Sequence, residues 1–381
     1  NVKISLEDAA NYGKELAIEK NASSYGLADN VKEGAILHAW CWSFNTIKEN
    51  LKDIAEAGFT TVQTSPANQC LVGDNGGMSI WSENGQGKWE YHYQPTDWKI
   101  GNYQLGTREE FKSMCEEADK YGIKIIYSTP GLKVHAKVAL ILRRSERGEN
   151  IEKSFAYLST GNFNEKTAKI YSDMGLFTYN TTLIQDLNLL FNILEGKTAY
   201  PHFEQLIVSP FNMLSSLKEK IAREIELARQ GKQAYLILKM NGLQDEEMIR
   251  LLYDASEAGV KIDLIIRGIC CLVTNQPYSR NIKIIRIIDE FLEHARIWYF
   301  NSDGKEEVFL SSADWMKRNL SRRIETAFPI TNEQIKQKII KILRLQLQDN
   351  TQACIIDENL QNIPVVENSE KPVRSQQYTN F

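Results

Sequence analysis

One histidine of the chain stands two residues before a lysine, His135-Ala136-Lys137, where a Val- and Leu-rich strand begins. Some 25 residues on comes a turn of Thr160, Gly161 and Asn162. A neutral imidazole is available near pH 7 and can attack phosphorus, and the phosphoramidate it forms is a good donor. Lys137 and Asn162 beside it would hold the nonbridging oxygens as charge builds in the transition state. A second histidine, in His294-Ala295-Arg296, repeats the spacing with arginine in the lysine position. The other three, His38, His92 and His202, read as structural.

Composition narrows the chemistry further. The 381 residues hold 45 Lys plus Arg against 49 Asp plus Glu, a net charge of −4. That balance does not suggest nucleic acid or an anionic membrane as a general partner, and no run of about 18 apolar residues spans a bilayer. Six cysteines are scattered without a CxxC or CxxxC pair, so they read as reduced thiols and imply no metal site. Charge is uneven: 12 basic and 18 acidic residues up to Ile126, then 33 and 31. The chain opens at Asn1 without a basic start and apolar stretch, which leads us to expect a removed leader or a fragment.

The elements that would position these residues alternate. Apolar patterning predicts a strand at 35–39, a helix at 45–57, a strand at 60–63, a long Gly-, Asn- and Trp-rich loop at 72–103, a helix at 107–121 and a strand at 124–126. Further on it predicts strands at 137–142, 205–208, 234–239, 262–266, 296–300 and 307–310, with helices at 214–229, 246–258, 282–292 and 332–348. The Lys- and Arg-rich stretch 335–344 could guide a polyanion or be an amphipathic helix with a solvated face. The fold class is α/β. A partial (β/α) barrel-like βαβαβ opening is expected at 1–126, then segments at 127–200 and 201–381.

The front, GAILHAWCWSFNTIKENLKDIAEAGFTTVQTSPAN at 34–68 with YHYQPTDWKI and QLGTREEFKSMCEEADKYGIKII after it, resembles the first βα units of the α-amylase family of glycoside hydrolases. That resemblance implies aromatic residues, Trp40, Trp89 and Tyr93, stacking on sugars at the C-terminal face of a barrel. Glycoside hydrolysis needs two carboxylates across the scissile bond, and no later segment resembles the strands that carry them. The front is thus expected at most to bind glucan.

From about residue 121 to 373 the chain resembles the C-terminal region of polyphosphate kinases of the first type. The blocks are PGLKVHAKVALILRR at 130–144, LSTGNFNEKTAKIYSDMGLFT at 158–178, SPFNM at 209–213, LIIRGICCL at 264–272, FLEHARIWYF at 291–300 and LSSADWMKRNLSRRIE at 310–325. The resemblance implies phospholipase-D-like α/β domains and an ATP-binding transferase that moves the terminal phosphate of ATP reversibly to polyphosphate through a phosphohistidine. It implies ATP, ADP and polyphosphate as partners, Mg2+ as cofactor, and a cytoplasmic place, peripheral to the inner membrane at most; many amylases, by contrast, are secreted. It makes His135 the phosphorylated nucleophile and Tyr171, Arg267 and His294 the ATP contacts. Arg267 would clamp phosphate charge and His294 would serve as acid or charge stabiliser. Asp173 and Glu325 are expected to orient the imidazoles by accepting a ring N–H. Arg296 stands where a phosphodiesterase pair would carry lysine, and no Ser-x-Asn follows closely, which argues against phosphodiester hydrolysis.

Both resemblances share a junction like YGIKII at 121–126, so a chimera or fragment is expected, with the motifs present but the upstream kinase parts absent. The 134–194 region is then expected to lean on whatever sheet the front offers, and open sheet edges there would favour self-association.

Overall fold

The computed structural model describes residues 26–27, 34–72, 89–93, 95–126, 133–142, 153–194, 201–365 and 371–378. Much of the Gly-, Asn- and Trp-rich loop, the side chain of Trp89 and both ends of the 130–144 block lie outside the described residues. The chain divides into two compact units, Asn1–Leu132 and Lys133–Phe381. Among the described residues no helix is long and apolar enough to cross a membrane.

The first unit contains β1 (Ala35–Ala39), α1 (Phe44–Glu56), β2 (Phe59–Thr64), β3 (Asn68–Cys70), β4 (Pro95–Ile100), α2 (Arg108–Lys120) and β5 (Lys124–Ile126). Strands β1, β2 and β5 form a parallel sheet in that order, which requires crossover connections, and α1 and α2 lie in them. Each helix starts on a side-chain cap. Ser43 accepts from Thr46 N–H at 3.0 Å, and Thr107 and Glu110 form a reciprocal capping box. The apolar stripes Phe44, Ile47, Leu51 and Phe111, Met114, Ala118 close a core over Val62, with the Phe44 and Phe111 rings edge to face at 5.1 Å. This is the α/β opening that the patterning predicts.

The second unit runs through β6 (Lys133–Val134), β7 (Lys137–Ile141), β8 (Phe155–Ser159), α3 (Glu165–Ala168), β9 (Tyr171–Ser172), β10 (Gly175–Thr178) and α4 (Thr181–Leu194). It continues with β11 (Ile207–Ser209), α5 (Met213–Arg229), β12 (Tyr235–Met240), α6 (Glu246–Glu257), β13 (Lys261–Ile266), β14 (Ile282–Ile287), β15 (Leu292–Glu293) and β16 (Arg296–Phe300). The last elements are β17 (Glu307–Ser311), α7 (Lys317–Ser321), β18 (Arg323–Pro329), α8 (Glu333–Leu347), β19 (Ala353–Ile356) and β20 (Asn362–Pro364). Its main sheet has the order β11-β18-β17-β16-β12-β13-β14-β19-β20, with β6 added to β18. Strands β12, β13 and β14 are parallel, and β16, β17 and β18 continue antiparallel. The central strands are apolar on both faces, as a sheet covered on both sides demands. All five residues of β16, RIWYF, are buried. Helices α5 and α6 bury Leu217, Ile221, Met248 and Leu252 against Leu236, Leu238, Ile262 and Leu264.

Three expectations change here. The 282–292 helix is instead β14 followed by β15. Its Ile-rich run fits a helical period as well as a strand. The β-branched residues Ile282, Ile284, Ile285 and Ile287 are all buried, in a strand between β13 and β19, where both faces find apolar partners. Strand β18 was not foreseen, because Arg322, Arg323 and Glu325 mask a run whose polar side chains turn out to be buried and paired. The 134–194 region forms its own antiparallel sheet, β10-β8-β7, and pairs β6 with β18 and β9 with β15, so it is built with the back of the chain rather than on the front. The 335–344 stretch lies in α8, which buries Ile339, Ile340 and Leu343 and pairs Lys336 with Glu333, an amphipathic helix with a solvated face.

Asp186 bridges the expected division near residue 200. From α4, and only 4% exposed, it accepts from the backbone N–H groups of Glu204, Gln205 and Leu206 at 3.1, 2.8 and 2.8 Å. Removing it strands three donors at the entry to β11. Asp186→Ala is expected to lower the unfolding free energy of the chain by about 3 kcal/mol, read as a shift in urea midpoint. An unchanged midpoint would show that these N–H groups find water instead.

Candidate functional site

The two histidines are set by the same local device. Where β6 meets β18, the carbonyl of Ile324 accepts from the N–H groups of His135 and Ala136 at 2.8 and 2.9 Å. The next residue, Glu325, then takes the imidazole: His135 Nδ1 lies 2.9 Å from its Oε2. Where β9 meets β15, the carbonyl of Ser172 accepts from His294 and Ala295 at 3.1 and 3.0 Å. The next residue, Asp173, takes the second imidazole, with Nδ1 at 2.8 and 2.9 Å from its oxygens. Each histidine thus finds its carboxylate far away in sequence, Glu325 within β18 and Asp173 just after β9. His135 comes from the early part of the unit and Glu325 from the late part, and the reverse holds for His294 and Asp173.

Both carboxylates are fixed by further donors. Glu325, fully buried, also accepts from Ser312 Oγ and from Asn319 Nδ2 at 2.6 Å. Asp173 accepts from Thr160 Oγ1 at 2.7 Å, and His294 together with Arg296 holds its carboxyl below the usual range against the pull of burial. An ionised carboxylate only accepts, so each Nδ1 donates. For His135 this leaves Nε2 with its lone pair. Burial pushes the His135 pKa below its ordinary value and Glu325 pulls it back, with burial the larger effect, which favours the neutral ring.

The two following bases differ. Lys137 is 5% exposed, and among the described residues its Nζ has no hydrogen-bond partner. Burial drives its pKa down to about 7; Glu325 and Asp173 favour its charge, while Arg296 and Arg323 oppose it. Arg296 is committed: Nε and Nη2 each reach Asp314 at 3.1 Å, and Nη1 lies 3.1 Å from His294 Nε2 and 3.3 Å from the carbonyl of Thr160. Nearby Arg323 and Lys133 are also held below their usual pKa, first by burial and then by neighbouring cations, Arg318 and Arg296 for Arg323, Arg323 and Arg318 for Lys133. This gathering of buried and half-buried cations around His135 suits a ligand of several negative charges.

Of the residues singled out in the sequence, Tyr171 packs its ring on His294 with centroids 4.8 Å apart. Arg267 donates from Nε to Asn241 Oδ1 at 2.8 Å. Asn162 is exposed on its turn, and nothing among the described contacts ties it to either imidazole. Sequence reasoning missed Ser312, Asn319, Asp314 and Asn241. For Ser312 and Asp314 the signal was the run of small and polar residues SSADW directly after the apolar VFL; Asn319 and Asn241 carried none. In the first unit His92 is buried, with its pKa pushed down to about 4 by burial, and Trp40 and Tyr93 are half-buried.

Comparisons with known proteins bear on this geometry. Residues 206–376 match the family model described as polyphosphate kinase C-terminal domain 2, and residues 109–200 match polyphosphate kinase C-terminal domain 1. A polyphosphate kinase of Halalkalibacterium halodurans is 43% identical over 264 residues, which are 69% of this chain and 37% of that protein. The crystal structure of polyphosphate kinase from Porphyromonas gingivalis matches with a TM-score of 0.66 at 42% identity, covering 90% of this chain and 47% of that one. The match to polyphosphate kinase domains is at family level and runs over most of the chain, and the α/β fold is related to theirs. The chain spans about a third of the length of the curated relatives it matches, 33% to 37%. The kinase match begins at residue 109, inside the segment likened to an amylase. Neither a genuine amylase-like domain nor a chimera finds support in the comparisons; the match to an α-amylase of Eisenia fetida, at 19% identity over 27% of this chain with a TM-score of 0.22, is too weak to argue from.

The buried lysine makes a pH test. Its pKa is about 7 folded against 10.5 in an ordinary setting, so between those values the unfolded chain binds more protons and stability rises with pH. Below about 7 the cost of burying the charge is fully present. Lys137→Met is therefore expected to be more stable than the native chain at about pH 6, with the difference fading towards pH 10.5. Urea unfolding across that range reads it, and a pH-independent difference would put the lysine's pKa elsewhere.

Proposed function

We propose that the chain transfers the terminal phosphate of ATP to polyphosphate, reversibly, through a phosphohistidine at His135. The observation that carries this reading is an imidazole held at Nδ1 by the buried Glu325, next to a buried lysine whose Nζ has no hydrogen-bond partner among the described residues. A nucleophilic nitrogen and an uncommitted cation side by side suit a phosphoryl group better than a carbonyl or a sugar. The kinase relatives support ATP and polyphosphate as the substrates to try first.

In the proposed step the lone pair on His135 Nε2 attacks the γ-phosphorus. An N–P bond forms as the bond from phosphorus to the bridging oxygen breaks, and ADP departs with that electron pair. Lys137 and Arg323 neutralise the transferring group, while Arg267 holds phosphate charge and Tyr171 helps shape the nucleotide side. His294, held by Asp173, stabilises charge on the leaving oxygen or lends it a proton. The phosphoryl group then passes to the terminal oxygen of a polyphosphate chain and Nε2 is freed. We assign Asn162 a contact with the phosphoryl oxygens only once ligand is bound.

Relationship to ATP-dependent kinases implies magnesium. The residues present do not fit an ion held by the protein: Asp173, Asp314 and Glu325 spend their oxygens on N–H and O–H donors, and among the described residues no group of three or more His, Cys, Asp or Glu is placed to hold a metal. No step is assigned to a metal bound by these side chains.

Incubation with γ-labelled ATP and magnesium is expected to leave label on the chain that survives base and is lost in acid. His135→Ala should abolish it, and His294→Ala should slow its appearance by about a hundredfold, the usual worth of a positioned acid. Equal labelling of native chain and His135→Ala removes the reading.

A further inference from the structure

We infer that Asn241 is a positioning residue which holds Arg267 and His294 at a fixed separation through the two ends of one amide. This rests on the phosphotransfer reading above and adds to it a residue that touches neither substrate nor phosphorus.

Asn241 follows the last residue of β12 and is 7% exposed. Its amide orientation is settled by chemistry. A guanidinium only donates, so the oxygen must face Arg267, whose Nε reaches Oδ1 at 2.8 Å. The nitrogen then points the other way and donates to the carbonyl of His294 at 3.0 Å. The backbone of the same residue is used as well. Its N–H donates to Asp314 Oδ1 at 2.8 Å, the carboxylate that also clamps Arg296, and its carbonyl accepts from Gly268 at 2.9 Å. A Cβ on Gly268 would come within 2.7 Å of that carbonyl, so only glycine lets the residue after Arg267 approach this closely.

One residue therefore braces three segments that carry the site: its side chain ties Arg267 to His294 and its backbone N–H reaches Asp314. Arg267 lines a cavity of about 150 Å³ with Phe291 and Glu293. Among the described contacts Asn241 takes only the guanidinium's Nε, which leaves the outer nitrogens to an anion. A long, charged side chain with one end pinned loses less freedom on binding, so its grip is tighter.

The amide can be removed without adding a charge. Asn241→Ala loses both of its side-chain hydrogen bonds, and Asn241→Ser, also uncharged, is too short to make both. Sodium tripolyphosphate titrated calorimetrically into the full chain reads the Arg267 end without any chemistry, and single-turnover labelling from ATP reads the His294 end. Asn241→Ala is expected to weaken tripolyphosphate by about tenfold, Asn241→Ser by at least about threefold, and both to label at least about tenfold more slowly. Adding Asn241→Ala to Arg267→Gln should weaken binding no further, because the first acts through the second.

The inference is overturned if Asn241→Ala binds tripolyphosphate like the native chain, or if its loss and that of Arg267→Gln simply add. Should Asn241→Ala fail to fold, Asn241→Ser decides: binding of tripolyphosphate as tight as that of the native chain overturns it. A native chain that binds tripolyphosphate but takes no label removes the phosphohistidine reading alone, and the binding comparison still decides the role of Asn241.

Discussion

Two carboxylates held among histidines, Glu325 fully buried and Asp173 half-buried, are the constraint on which the second unit depends. Taking them out of water is tolerable only because each is surrounded by donors: an imidazole N–H, hydroxyls, an amide. Those donors come from opposite ends of the unit. His135 must reach β18 and His294 must reach the turn after β9, so the early and late parts of the chain cannot satisfy their polar groups separately. The backbone makes the same demand, since one carbonyl at each junction takes two successive N–H groups. A half-formed version would leave charges and N–H groups unpaired, and this favours an all-or-none assembly.

The same arrangement separates the chemistry of two similar motifs. In both, a histidine is followed two residues later by a cation, and in both Nδ1 is held by a carboxylate. The difference lies in what the cation already has. Arg296 is neutralised by Asp314 and packed on the ring of its own histidine, so it is part of the frame. Lys137 has no hydrogen-bond partner among the described residues, and burial leaves its proton loosely held. An arriving anion gains most beside the side chain that is not already paired.

Much of this could be read in the residues. The helices near 107–121, 214–229, 246–258 and 332–348 carry apolar stripes at helical spacing bounded by Thr, Asp and Asn caps, and each forms within a residue or two of the expected bounds. The 296–300 strand has the bulky, β-favouring residues of a buried central strand. The 282–292 segment misled because isoleucines at 282, 284, 285 and 287 suit either period. What settles such a run is whether neighbouring strands are there to cover both faces, which is not a local property. Strand β18 escaped for the opposite reason: its glutamate and threonine look solvated until Ser312, Asn319 and His135 are known to stand around them.

By itself, the sequence determined which side chains could do chemistry and which local elements would carry them, because residue type, spacing and capping act over a few positions. It named His135, Lys137, His294, Asp173 and Glu325 as a set. Only the tertiary structure decided that Glu325 takes His135 and Asp173 takes His294, that Arg296 is spent on Asp314 while Lys137 is left unpaired, and that Asn241 joins Arg267 to His294. Those outcomes hinge on strand pairings between residues up to 190 positions apart. The physical reason is that a charge's partner and its exposure are set by what packs around it in space, and no short stretch of chain contains that information.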